Sequence, residues 1–256
     1  MYAEERQQAI AAEVRARGRV SVTDLAARFD VTGETVRRDL TVLGRAGQLI
    51  RVHGGAVRPD VAAIVDELDL RERQQERLAE KSAIAAAAQR FIPPAGGSVL
   101  FDAGTTTHAA AAALAADLHL ALVTNCVPIA AELSALPHCE VTLLGGRIRR
   151  KTQASVGADA IATLSRLRVT VGFIGTNGFS LAHGLSTPDP DEAAAKRAMI
   201  AAANQVVVLA DSSKINREDL VSFGDLKDID TVITDDGIDS AFAEELRAQD
   251  IEVVIA

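Results

Sequence analysis

Over residues 81–256 two patterns alternate, and no other feature of the sequence constrains the fold as strongly. Apolar runs of strand length occupy residues 98–102, 120–125, 140–146, 169–178, 205–211, 231–235 and 252–256. Alanine-rich helical stretches lie between most of them, at 109–116, 127–136, 192–203 and 240–249. A strand that is apolar along its length needs cover on both faces, and a helix between two strands lets them run parallel. The expectation is an α/β domain with a mostly parallel, Rossmann-like sheet. Aromatic residues make up only 3% of the chain and Trp is absent, so Ala, Val, Leu and Ile must build the core.

The first 58 residues follow a different pattern. Ile10 and Val14 stand at helical spacing within residues 3–16, and Gly18 stops that helix. Ser21 and Asp24 resemble a capping box that opens a helix through Leu25, Ala26 and Phe29. Asp30-Val31-Thr32-Gly33 reads as a turn, and a third helix spans residues 34–45, ended by Gly47. At about 100° per residue, Val36, Leu40 and Leu43 form one buried stripe. The opposite face carries Glu34, Arg38, Thr41 and Arg45, with Arg37 on one flank and Thr35 on the other. Residues 49–52 and 56–57 form a hairpin around His53-Gly54-Gly55. Two helices joined by a tight turn, the second with an Arg/Thr face, predict a helix-turn-helix. Arg38 is placed to bond guanine O6 and N7 in a major groove, and Arg37 to meet phosphate. Arg51 and His53 would touch the neighbouring backbone as a wing.

Charge is divided in the same way. The chain carries a net −8, which argues against a nucleic-acid partner only if it is spread evenly. Residues 1–58 hold ten Arg against seven acidic residues; residues 59–256 hold 17 basic against 28 acidic. A small basic end on a large acidic body fits a local footprint for double-stranded DNA. The expected organisation is a DNA-binding domain at 1–58, a charged linker passing into a helix at 59–77, and the α/β domain at 78–256. No window of about 18 residues is apolar enough to span a membrane, and the start does not read as a leader. Cys126 and Cys139 are too few for a disulfide scaffold and read as reduced thiols, so a cytoplasmic protein is expected.

The α/β domain has polar clusters at the ends of its strands. Asp102-Ala103-Gly104 leads into Thr105, Thr106 and Thr107 at a helix start, where free amides and the helix dipole favour an anion. Gly104 permits close approach of the backbone, and Asp102 is placed to bond sugar hydroxyls. Thr124-Asn125, Gly145-Gly146-Arg147, Gly175-Thr176-Asn177-Gly178 and Asp211-Ser212-Ser213-Lys214 end later strands. Lys214 would neutralise phosphate, Asn177 adds an amide, and Arg147 reads as an exposed loop residue. Ligands of open α/β sheets bind at such carboxyl ends. These Thr residues also suit a simple helix cap.

An enzyme is the alternative. An enzyme that moves a proton between carbons needs a positioned carboxylate or His. Asp191, Glu192, Lys196 and His183 are the clustered candidates, but Glu192 and Lys196 at i, i+4 also read as a helical ion pair. His108 reads as a cap or ligand contact. There is no metal-spaced Cys/His cluster, nucleophile elbow or dinucleotide glycine fingerprint, so neither metal nor cofactor is expected.

The stretch SVTDLAARFDVTGETVRRDLTVLGRAGQLIRVHGGAV closely resembles the winged helix-turn-helix of DeoR-type bacterial transcription regulators. LFDAGTTT, LVTNC, LLGGRIRRKT, GFIGTNGFS, HGLSTPDPDEAAAKRAMI, LADSSKI and DIDTVITD resemble the sensor domain of the same family, over residues 78–256. Gly44 and Thr170 depart from its usual acidic residues. The sensor resembles sugar-phosphate isomerases and glucosamine-6-phosphate deaminases in fold. The resemblance implies a phosphorylated sugar effector held by residues 102–107, Thr124-Asn125 and Lys214. It also implies a repressor of sugar-metabolism genes released from its operator by that effector, with fructose 1-phosphate as the expected sugar. Paired half-sites would make it a dimer or tetramer.

Overall fold

The computed structural model describes residues 3–17, 19–29, 31–45, 48–52, 55–57 and 70–256. The chain divides into two compact units, residues 1–67 and 68–256.

In the first unit the helices are α1 (Ala3–Arg17), α2 (Val22–Phe29) and α3 (Gly33–Arg45). They pack Ile10, Val14, Leu25, Val36, Leu40 and Leu43 into one core. Ser21 Oγ accepts from Asp24 N–H at 3.0 Å, so the expected cap of α2 forms. A three-stranded antiparallel sheet runs in the order β1 (Arg19–Ser21), β3 (Gly55–Val57), β2 (Ile50–Val52). The expected hairpin is β2–β3. The strand β1 joins it because nothing but Gly fits at position 55, where a Cβ would lie 2.1 Å from Val20 O.

The second unit opens with α4 (Leu70–Gln75) and α5 (Leu78–Ala88). Its main sheet has seven strands, all parallel. They run in the order β15 (Glu252–Ile255), β14 (Thr231–Thr234), β12 (Ala203–Leu209), β9 (Val169–Gly175), β4 (Ser98–Phe101), β5 (Ala121–Thr124), β6 (Glu140–Leu143). Apolar side chains project to both sides and form two cores, one around Leu100, Ile174 and Val208 and the other around Phe101, Phe173 and Val207. Further helices are α6 (Thr105–Ala112), α7 (Val127–Leu133), α8 (Ala158–Leu164), α9 (Pro190–Ala202) and α10 (Ser240–Ala248). Two smaller antiparallel pieces were not expected from sequence. One is the pair β7 (Arg147–Arg149) and β8 (Ala154–Val156); the other is the sheet β10 (Gly178–Ser180), β11 (Gly184–Thr187), β13 (Val221–Gly224).

The strand order positions the site. From β4 the chain goes outward through β5 and β6, then returns to β9 on the other side of β4 and continues outward through β12, β14 and β15. The order therefore reverses between β4 and β9. The loops leaving these two strands diverge to opposite faces and leave a crevice at their carboxyl ends.

Candidate functional site

The cavity at this reversal has about 590 Å³ of space between its walls, counting the part open to solvent. Its walls come from the ends of β4, β9 and β12, from α9, and from the α4–α5 segment. Of the residues expected from sequence, Gly104, Thr105, Thr106, Thr107, Asn177 and Lys214 line it. Gly104 is extended, and α6 starts immediately after it. The amides of Thr105, Thr106 and Thr107 thus belong to a first turn with no earlier carbonyls to accept them. Thr107 Oγ1 donates to Gly104 O at 2.9 Å, which fixes the turn.

Asp102 lies below the cavity and is 1% exposed. Its Oδ2 accepts from Gly175 N–H at 3.0 Å and from the Lys196 ammonium, which also donates to Gly175 O at 2.9 Å. The pair clamps β4 to β9 across the reversal. Asp102 is thereby committed to Lys196, and Lys196 presents itself to the cavity. Thr124, Asn125, Gly145 and Gly146 do not line the cavity. They end β5 and β6, on the far side of β4. Thr124 Oγ1 accepts from Cys126 N–H at 3.0 Å; Asn125 accepts from Ala103 N–H at 3.0 Å and donates to Ser155 O at 3.2 Å. Asn125 therefore shapes the Asp102–Thr107 loop from underneath.

The structure adds residues that local sequence pattern did not single out, Arg73, Arg77, Lys81 and Thr152, and brings in Glu192 and Lys196, which the sequence offers both as candidates for proton transfer and as a helical ion pair. Both are 4% exposed, and they find partners outside their own helix. Glu192 accepts from Thr152 Oγ1, and lies 3.4 Å from Arg149 Nη1. The spacing 192, 195, 196, 199 places two charges on the buried face of α9, a signal present in the sequence. Asp191 instead is exposed and pairs with Arg147. The His183 ring meets Asp219 O at 3.0 Å, and His108 meets Glu132 at 2.5 Å; neither His lines the cavity.

The electrostatics of the cavity are unbalanced. Lys81 is 6% exposed and donates to two backbone carbonyls, Arg73 O and, at 2.7 Å, Glu76 O. Burial pushes its ammonium down from the usual lysine value; Lys214 and Arg73 push it further and Asp211 opposes them. Burial also lowers Lys214, with Arg73 and Arg217 adding to the effect and Asp211 again opposing. Arg77, in contrast, is well paired, 3.0 Å from Asp235 and 3.4 Å from Asp211. Arg73, Arg77, Lys81, Lys196 and Lys214 line the cavity against Glu76, Glu192 and Asp211, an excess of positive charge that suits an anion. Among the described residues no group of His, Cys, Asp and Glu is arranged to hold a metal ion.

In the first unit, Arg37 and Arg38 are exposed on α3, while Val36, Leu40 and Leu43 are buried. Arg37 Nη1 is 3.5 Å from Glu34. Thr35 bonds Thr32 through their hydroxyls at 2.9 Å, and Thr41 Oγ1 donates to Arg37 O at 2.7 Å. Between the two arginines and the stripe, Asp39 is 3% exposed and held by Arg6 at 2.6 Å and Gln7 at 2.9 Å. That pair ties α1 to α3. The same helical wheel places Asp39 at the edge of the apolar stripe, where a buried carboxylate needs a cation. The side chains of Arg45 and Arg51, and the whole of His53, lie outside the described residues.

Known proteins resemble the chain over both units. Residues 6–61 match the model of a DeoR-like helix-turn-helix domain, and residues 76–236 match the DeoR C terminal sensor domain. The HTH-type transcriptional regulator GlpR of Haloferax volcanii is 37% identical over 91% of this chain and 90% of its own. The glycerol-3-phosphate regulon repressor of Escherichia coli K12 is 33% identical over 87% and 86%. Among solved structures, ribose 5-phosphate isomerase A from Neisseria gonorrhoeae aligns with a TM-score of 0.40 at 16% identity, over 54% of this chain and 53% of that one. With its exposed arginine helix and its matched sensor domain, the chain belongs to the DeoR family of DNA-binding transcription regulators.

Proposed function

We propose that the protein represses sugar-metabolism genes and leaves its operator when a phosphorylated sugar, with fructose 1-phosphate the expected one, fills the cavity at the strand reversal. One observation carries this reading. Lys81 and Lys214 line one cavity, and among the described residues neither is within ion-pair distance of a carboxylate, Asp211 and Glu76 acting on both from farther away. A phosphate supplies that missing countercharge, and the first-turn amides at Thr105–Thr107 supply its hydrogen bonds. Thr152, Asn177 and Glu192 line the same cavity and offer polar groups to sugar hydroxyls. The glycerol-3-phosphate regulon repressor among the relatives supports repression, and of genes that concern a phosphorylated compound.

On the DNA side, Arg38 reads a guanine edge and Arg37 meets phosphate; two copies of the chain present paired helices to successive major-groove turns. Arg45, Arg51 and His53, expected from sequence to contact DNA as well, lie in whole or in their side chains outside the described residues. We infer sensing rather than turnover, because Glu192, the candidate base that lines the cavity, already receives Thr152 and lies beside Arg149. Calorimetric titration of the full chain with a panel of sugar phosphates tests the reading. One member should bind, and Lys214→Met should weaken it without abolishing folding. Turnover of any member, or equal binding of the unphosphorylated sugars, would overturn it.

A further inference from the structure

Lys81 has three N–H donors and spends two of them on the carbonyls of Arg73 and Glu76. Those carbonyls close the C-terminal end of α4. At six residues α4 is too short to hold its shape alone, so its conformation depends on contacts such as these. The third donor and the charge of Lys81 are left for the cavity that its side chain lines.

The junction after α4 is also built firmly. Arg77 connects α4 to α5 in a left-handed conformation, φ 51° and ψ 48°, which costs a non-glycine residue energy. Its guanidinium offsets that cost with Ser212 Oγ at 2.9 Å, Asp235 at 3.0 Å and Glu80 at 3.2 Å. One turn away, Arg73 lines the cavity as well. The segment from Arg73 to Lys81 is thus a wall of the cavity, and it is the first part of the second unit that the chain reaches after residues 58–69.

We propose that Lys81 is a ligand of the effector's phosphate and, through the same ammonium, the residue that couples the cavity to α4. The inference rests on the phosphate reading above. An anion bridging Lys81 and Lys214 takes the third donor and supplies the countercharge. The ammonium is then held in place, and so are the carbonyls of Arg73 and Glu76. The end of α4 becomes fixed to the sensor, and the constraint passes along the covalent chain into residues 58–69. The effector's differential contact is therefore with the order of α4, which is the difference between two states that any ligand-driven switch requires.

Hydrogen–deuterium exchange on the full chain tests this, with and without inorganic phosphate and, in parallel, fructose 1-phosphate. Peptides spanning residues 70–77 should become protected when either ligand binds. Lys81→Met keeps the length and apolar stem of the side chain. It should lower affinity roughly tenfold or more, the size of a lost hydrogen bond to a charged group, and should remove the ligand-induced protection. If the wild-type protein binds a ligand and exchange at 70–77 does not change, the coupling is wrong while the effector reading stands. Unchanged affinity in Lys81→Met removes Lys81 from the site. If neither ligand binds the wild-type protein, the effector reading fails and this inference with it. The wild-type exchange decides the coupling even if Lys81→Met does not fold.

Discussion

On α3 of the first unit, Arg37 and Arg38 stand in solvent, whereas in the second unit Lys81 is 6% exposed and Lys214 half-buried. The difference follows from what each must meet. A duplex approaches from outside and brings many phosphates, so exposed guanidinium groups act at a distance and lose little by staying hydrated. On the proposed reading a small anion is drawn into a cavity, where buried ammonium groups are already stripped of water and their attraction is strong. Beneath the arginines lies one buried pair, Arg6–Asp39, and at the floor of the cavity another, Lys196–Asp102, whose lysine also lines the cavity. Each pair holds the frame, tying α1 to α3 in the first unit and α9 to the ends of β4 and β9 in the second.

The sharpest break of this division comes from the frame. Asp102→Ala leaves Lys196 buried without its carboxylate and should destabilise the second unit by about 3–5 kcal/mol. Thermal unfolding monitored by calorimetry should show the loss in that unit while operator affinity of the folded protein stays near normal. Next in size, Arg38→Ala should weaken specific operator binding by about 1–3 kcal/mol, or roughly five- to 150-fold, in anisotropy titrations. Effector affinity should not change, and a parallel drop would show that the two surfaces are not separable. Lys214→Met gives the mirror image: effector affinity falls roughly tenfold or more, while operator affinity without effector is retained.

Salt sharpens the same contrast. Operator affinity should fall steeply between low and physiological salt, with a slope of about 0.9 per phosphate contacted. Effector affinity should fall much less, because its cations are shielded from screening ions. The smallest effect is in acid. Burial alone would raise the Asp235 carboxyl, but the Ser212 amide and hydroxyl, the Gly237 amide and Arg77 outweigh it and hold it below its ordinary 3.8. A depressed carboxylate stabilises the fold fully above its unfolded value and loses that contribution as pH falls through the folded value. Asp235→Asn should thus be less stable at neutral pH but lose less stability than wild type below about pH 4, as followed by denaturant unfolding.

Much of this was legible in the sequence, for a local reason. Fully apolar strands alternating with alanine-rich helices mark a parallel sheet wherever they occur, and the wheel of α3 already separates Val36, Leu40 and Leu43 from Arg38. The short strands β1, β7 and β10 were not legible, because three residues carry no period and their pairing is set by distant chain. The start of α6 at Thr105 was legible, because Asp102-Ala103-Gly104 ends a strand and the three Thr open the helix before the alanine run. The cavity was half legible. Strand ends can be found from apolar runs, but which of them meet depends on the sheet order. That order left Thr124, Asn125, Gly145 and Gly146 outside, while Arg73 came in from the stretch that reads as charged linker and Lys81 from the first helix of the α/β domain.

Operator binding by the full chain, titrated on labelled DNA from upstream of its own gene with and without sugar phosphates, tests the account most directly. One phosphorylated sugar should release the DNA, and its unphosphorylated form should not. DNA binding that no sugar phosphate alters would contradict the claim that the cavity at the β4–β9 reversal governs the arginine face of α3.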